Sequence, residues 1–131
     1  MRGGRPGRPI DPATSTYPGN TCGGANAWDP MCDVSDAPEV AYFGAACDGD
    51  TVTASTCDAG TNFDTILFTR GAAGAMGADL ACNDDVSDFG GDCAAWYNAS
   101  EVTGTASAHG LYWIIVEGFD TECGDYVLTL L

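Results

Sequence analysis

The 131-residue chain predicts an all-β fold: a jelly-roll-like β-sandwich of about seven to eight short strands, stapled by disulfides and with minimal helix. Three observations predict it. Short apolar runs recur at close spacing and are separated by turns rich in Gly, Asp and Asn. No stretch longer than about ten residues shows a 3.6-residue apolar period. Seven cysteines, Cys22, Cys32, Cys47, Cys57, Cys82, Cys93 and Cys123, are dispersed without a CxxC pair, which suits disulfides better than a zinc or redox centre.

The length is that of one domain with one core. The first twenty residues, MRGGRPGRPIDPATSTYPGN, read as an extended arm, because Pro6, Pro9, Pro12 and Pro18 exclude a helix. Residues 21–131 read as the single sandwich domain. Three of the four arginines (Arg2, Arg5, Arg8) lie in this arm, whereas the body carries nearly all the acids, so arm and body are opposite in sign. The arm either folds back on its own acidic surface or docks through Arg2, Arg5, Arg8 and Ile10 on a neighbouring copy. The second option gains weight because residues 21–38 supply no convincing first strand. Trp28 is expected to pack in that segment.

From there the strands follow in order. Val40 to Gly44 is apolar throughout and reads as a buried strand. A hairpin turn at Asp48-Gly49-Asp50 leads into Thr51 to Cys57, with Val52 and Ala54 facing inward. Phe63 to Arg70 alternates, with Ile66, Phe68 and the stem of Arg70 on one side and Thr65, Leu67 and Thr69 on the other. After a Gly- and Ala-rich loop comes Asp79 to Cys82. Ser100 to Ser107 is a weaker strand with Val102 inward. Leu111 to Val116 is apolar on both faces, as a central covered strand would be. Tyr126 to Leu131 is the last. Of the disulfides, Cys82 with Cys93 would close the acidic loop and Cys22 with Cys32 the next-most local one, while Cys47 and Cys57 are offset in their hairpin. One cysteine is left over, free or paired with another chain.

The chemistry gathers around the Phe63–Arg70 strand. Asp64 stands where it begins, and Asp84 and Asp85 end the run that follows. Paired or facing strands would bring these three acids to one end of a sheet, a hard-oxygen set suited to calcium at the weak affinity of extracellular modules. Asp88 and Asp92 are reserve ligands. Trp96 and Tyr97, on the same acidic loop, form a candidate stacking platform for a ligand such as sugar. Asn98-Ala99-Ser100 is a glycosylation sequon.

Several of these residues carry a resemblance. Pro38 to Phe43, Ser55-Thr56-Cys57, Phe63 to Leu67, Leu80 to Asp85, Tyr112 to Phe119 and Gly124 to Leu128 stand in the order of the landmarks of the bacterial pre-peptidase C-terminal domain, which residues 38–131 resemble. The resemblance implies a secreted, non-catalytic β-sandwich module of a kind appended to extracellular proteases and surface proteins. Some members are similar to collagen-binding modules that hold calcium, which implies the same role for Asp64, Asp84 and Asp85. Residues 1–37 lie outside it.

Composition narrows the function further. There is no Lys, and four Arg face nineteen acids for a net charge of −15, which argues against a nucleic-acid partner. No run is long enough to span a membrane, and the first ten residues hold no apolar signal core, so an export signal is expected outside this numbering. Catalysis is not expected: the one histidine, His109, reads as an exposed turn residue, and disulfide formation would leave it no thiolate partner. The expected protein is a non-enzymatic extracellular structural subunit that self-assembles as a homo-oligomer, filament or surface layer through its arm, with calcium giving durability. The alternative is an accessory module binding extracellular protein or carbohydrate.

Overall fold

The computed structural model describes residues 7–33, 35–84 and 98–131. Among them are nine strands: β1 (Arg8–Pro9), β2 (Thr16–Asn20), β3 (Glu39–Ala46), β4 (Thr51–Ser55), β5 (Thr65–Arg70), β6 (Asp79–Asn83), β7 (Glu101–Thr105), β8 (Gly110–Gly118) and β9 (Asp125–Leu130). Helix among the described residues is confined to one 3-10 turn, Gly74–Met76. The strands form two sheets, ordered β1-β3-β8-β5-β6 and β2-β9-β4-β7. Strands β2 to β9 alone make two four-stranded antiparallel sheets in jelly-roll order; β1 is a short parallel addition beside β3.

The alternation seen in the sequence sets the layers. Leu67 of β5, Tyr42 of β3, Ile114 and Val116 of β8, Val102 of β7, and Tyr126 and Leu128 of β9 fill the core between the sheets. The opposite faces of β5 and β8 put Ile66, Phe68 and Ile115 outside it in a second cluster, with Trp28 and Trp113 packed on it. The segment from Ala25 to Asp33, here called the strap, thus covers the outer face of the first sheet. That cover is why β8 is apolar on both faces.

Residues 7–20 hold β1 and β2, separated by a turn at Pro12–Ala13 in which the Thr14 amide donates to the Asp11 carbonyl at 2.9 Å. Thr16–Asn20 pairs residue by residue with β9 of the same chain, from Thr16 opposite Thr129 to Asn20 opposite Asp125. Arg8 lies opposite Tyr42, the Ile10 amide donates to the Phe43 carbonyl at 2.8 Å, and the Ile10 side chain packs on the core. Both residues expected on a neighbouring copy are thus engaged within the chain; Arg2 and Arg5 lie outside the described residues. The strand was hidden because TYPGN is poor in β-formers, yet an edge strand tolerates Pro18. Gly19 is required by close approach: a Cβ there would fall 2.4 Å from the Tyr126 hydroxyl, itself hydrogen-bonded to Tyr42 at 2.6 Å. Gly19→Ala is therefore expected to destabilise by about 1 to 3 kcal/mol, read as a lower urea midpoint at unchanged slope. An unchanged midpoint would mean that β2 is not seated on Tyr126.

The local disulfide pairings do not form. Cys22 bonds Cys123 and Cys32 bonds Cys82. The first continues the β2–β9 register two residues beyond the Asn20–Asp125 pair, so it was legible only once β2 was known. The second ties the strap to β6. Cys57 is also disulfide-bonded, whereas Cys47 is exposed with a free thiol.

Candidate functional site

Asp64 and Asp84 come to the same end of the first sheet, because β5 and β6 pair antiparallel and the two residues flank them. Asp64 is fixed by its backbone: its carbonyl accepts from the Phe119 amide at 2.8 Å and its amide donates to Glu122 Oε1 at 3.1 Å. Beneath them lies a buried hydroxyl network. Thr56 and Thr65 hydroxyls lie 2.7 Å apart, Thr65 and Ser100 hydroxyls 3.0 Å apart, and the Ser100 amide donates to Thr56 Oγ1 at 2.9 Å. The Ser100 hydroxyl also reaches the carbonyls of Thr65 and Asp84, joining both acidic positions to β7. Sequence reasoning missed this network; its signal was small hydroxyl residues at positions where a strand should face the core.

Of the expected calcium set, Asp64 and Asp84 stand at the same end of the paired strands β5 and β6, while Asp85 and the reserves Asp88 and Asp92 lie outside the described residues. Among the described residues no group of three His, Cys, Asp or Glu side chains converges as a metal site. The polar groups described at this sheet end are carboxylates, hydroxyls and backbone carbonyls. Trp96, Tyr97 and Cys93 also lie outside the described residues.

The outer face of the same sheet was not foreseen as a site. Trp28 and Trp113 rings lie 5.2 Å apart and Phe43 packs on Trp113 at 5.3 Å, all three half-buried. Between the strap, β1 and the end of β2 lies a cleft of about 320 Å³ whose lining includes Arg8, Asn20, Gly23, Trp28 and Glu39. Under the strap, Arg70 is buried. It pairs with Asp79 at 2.8 Å, donates to the carbonyls of Ala75 at 3.0 Å and of Asp29, and stacks over Phe68 and Trp28. Glu39 and Glu117 are buried beside it. Burial raises the Glu39 carboxyl above its ordinary value, opposed by the amides of Ala27 and Trp28 that it accepts.

His109 is exposed, and its Nδ1 accepts the Asp48 amide at 3.1 Å. The expectation that no free thiol stands near it fails, since the free thiol of Cys47 precedes Asp48; Cys47 and His109 are both exposed. No helix among the described residues is long and apolar enough to cross a membrane.

No protein-family model and no curated protein matches the sequence. Among solved structures, the chain is similar to the pre-peptidase C-terminal domain of the collagenase from Bacillus anthracis, with a TM-score of 0.60 over 98% of this chain and 100% of that one at 18% identity. At that identity the likeness is one of fold, and the fold of this chain is that of a pre-peptidase C-terminal-like β-sandwich.

Proposed function

We propose that this chain is a non-catalytic accessory module of an extracellular protein, binding protein or carbohydrate, and that it works as a single copy. The observation that carries this reading is the seating of β2 in its own sheet. A strand-exchange filament needs a segment to give away, and here residues 8–20 complete both sheets of the chain that carries them. The solved relative in fold is part of a collagenase, which supports an accessory role. Disulfides and the acidic, lysine-free composition support an oxidising, cation-rich location outside the cell. The cleft beside Trp28 gives such a module a partly apolar contact surface.

Light scattering of the whole chain, with and without calcium, tests this reading. A particle of 13.4 kDa in both conditions is the expected result. Large particles would return the self-assembling filament to first place. Calcium belongs to either version through Asp64, Asp84 and Asp85. With dissociation constants of about 0.1 to 1 mM, about 10 mM calcium should add roughly 1.4 to 2.7 kcal/mol to the chelator-treated protein. That corresponds to a melting-temperature rise of about 5 °C or more. No rise would remove calcium and leave the module.

A further inference from the structure

Two glutamates lie side by side beneath the strap. Glu39 and Glu117 are register partners across β3 and β8, and Glu117 is fully buried. Like charges directly opposite in a sheet repel, and two carboxylates in a low-dielectric site do not both ionise readily. Their surroundings differ. Glu39 accepts the Ala27 amide at 2.9 Å and also reaches the Trp28 amide, so its charge is met by backbone donors. Among the described residues Glu117 has no such donors: its Oε1 is unpartnered, and its Oε2 meets the Ser35 hydroxyl.

Ser35 shows where the proton is. Its Oγ lies 2.8 Å from the Gly118 carbonyl, accepts the Ala37 amide at 3.3 Å and meets Glu117. A serine hydroxyl has one proton and two lone pairs. Given to the Gly118 carbonyl, that proton is no longer available to Glu117. A carboxylic acid donating from Oε2 to Ser35 gives the Ser35 hydroxyl, the Gly118 carbonyl and Oε2 a partner each, whereas a carboxylate would leave either Oε2 or the Gly118 carbonyl without a donor. The other charged groups around Glu117 do not replace this proton. Asp29 of the strap is a second like charge, Arg70 of β5 is committed to Asp79 and backbone carbonyls, and the β5 register partner is the apolar Ile66.

We infer that Glu117 is held as a neutral acid and that its proton, through Ser35, latches the end of the strap to the outer face of the sheet, so that losing this proton loosens the strap over Phe68 and Ile115. Cys22–Cys123 and Cys32–Cys82 pin the strap's flanks, so the loosening is local. The sign follows from linkage. In the closed form burial, foremost, pushes the Glu117 carboxyl up to about 8, helped by Glu39 and Asp29 and opposed by the Ser35 contact and Arg70. In the open form it meets water at its ordinary value. The latch is therefore complete below about pH 4.5, weakens as pH rises, and is lost above about 8.

The experiment is hydrogen exchange at the Ala27 and Trp28 amides between pH 5 and 9, corrected for intrinsic base catalysis, beside a carbon-13 titration of the Glu117 carboxyl. The wild type should show an opening equilibrium that rises up to about tenfold per pH unit and levels off above about pH 8, and the carboxyl should titrate there. Glu117→Gln, whose amide donates to Ser35 without ionising, should lose most of that rise. A Glu117 carboxyl titrating in the ordinary range, or a variant opening with pH as the wild type does, overturns the latch. Should the variant fail to fold, the carboxyl titration in the native protein decides alone.

Discussion

Replacing Arg70 with alanine is expected to cost about 3 to 5 kcal/mol, the range for removing one partner of a buried ion pair. The side chain is 3% exposed and its partner Asp79 6%. Its nitrogens tie three separate pieces of chain: Asp79 on β6, the carbonyls of Gly74 and Ala75 in the 3-10 turn, and the carbonyl of Asp29 in the strap. Asp79 Oδ2 also accepts the Met31 amide at 2.8 Å, so the carboxylate left behind would loosen the strap from a second side. Arg70→Lys keeps the charge but has no planar fork with which to reach all three, and an intermediate loss is expected. Urea unfolding measures both; a loss below about 1 kcal/mol for Arg70→Ala, the scale of an exposed pair, would show that this guanidinium is not the hub described.

The second large effect is the loss of the N-terminal segment. A chain beginning at Thr21 would forgo the five-residue ladder with β9 and the packing of Ile10 and Tyr17 on the core. Each of those side chains is half-buried and contributes about half of the roughly 1.5 to 3 kcal/mol of full burial, and each ladder bond a further 0.5 to 1.5 kcal/mol or so. Their sum is comparable with the whole stability of an ordinary domain, about 5 to 15 kcal/mol. The truncated chain should therefore melt at least about 15 °C lower or show no cooperative transition by circular dichroism. An unchanged melt would make residues 1–20 a dispensable tail.

Much of the sandwich was legible because period-2 alternation is a local property. Ile66, Phe68 and Arg70 against Leu67 and Thr69 could be assigned to two faces before either face had a partner, and both faces proved to be covered. That Asp64 and Asp84 flank two strands that pair followed from the same local signals. What was hidden depended on register or on long-range cover. Pro18 and Gly19 disguised β2, and with it the Cys22–Cys123 bond that extends its ladder. Arg70 looked like a stem on one face of a strand; that it stood alone among the acids of the body was the available hint of a buried, fully used cation. The Glu39–Glu117 pair joins residues 78 positions apart through the β3–β8 register alone, and no spacing pattern announces it.

A single-copy module requires that β2 belong to the chain whose β9 it pairs with. Isotope-filtered NMR on an equal mixture of labelled and unlabelled protein measures this directly, through the Tyr17–Leu128 and Gly19–Tyr126 pairs. The expected result is that these contacts appear only within a chain. The same contacts between labelled and unlabelled chains would contradict it, and would make residues 8–20 the element that joins one subunit to the next.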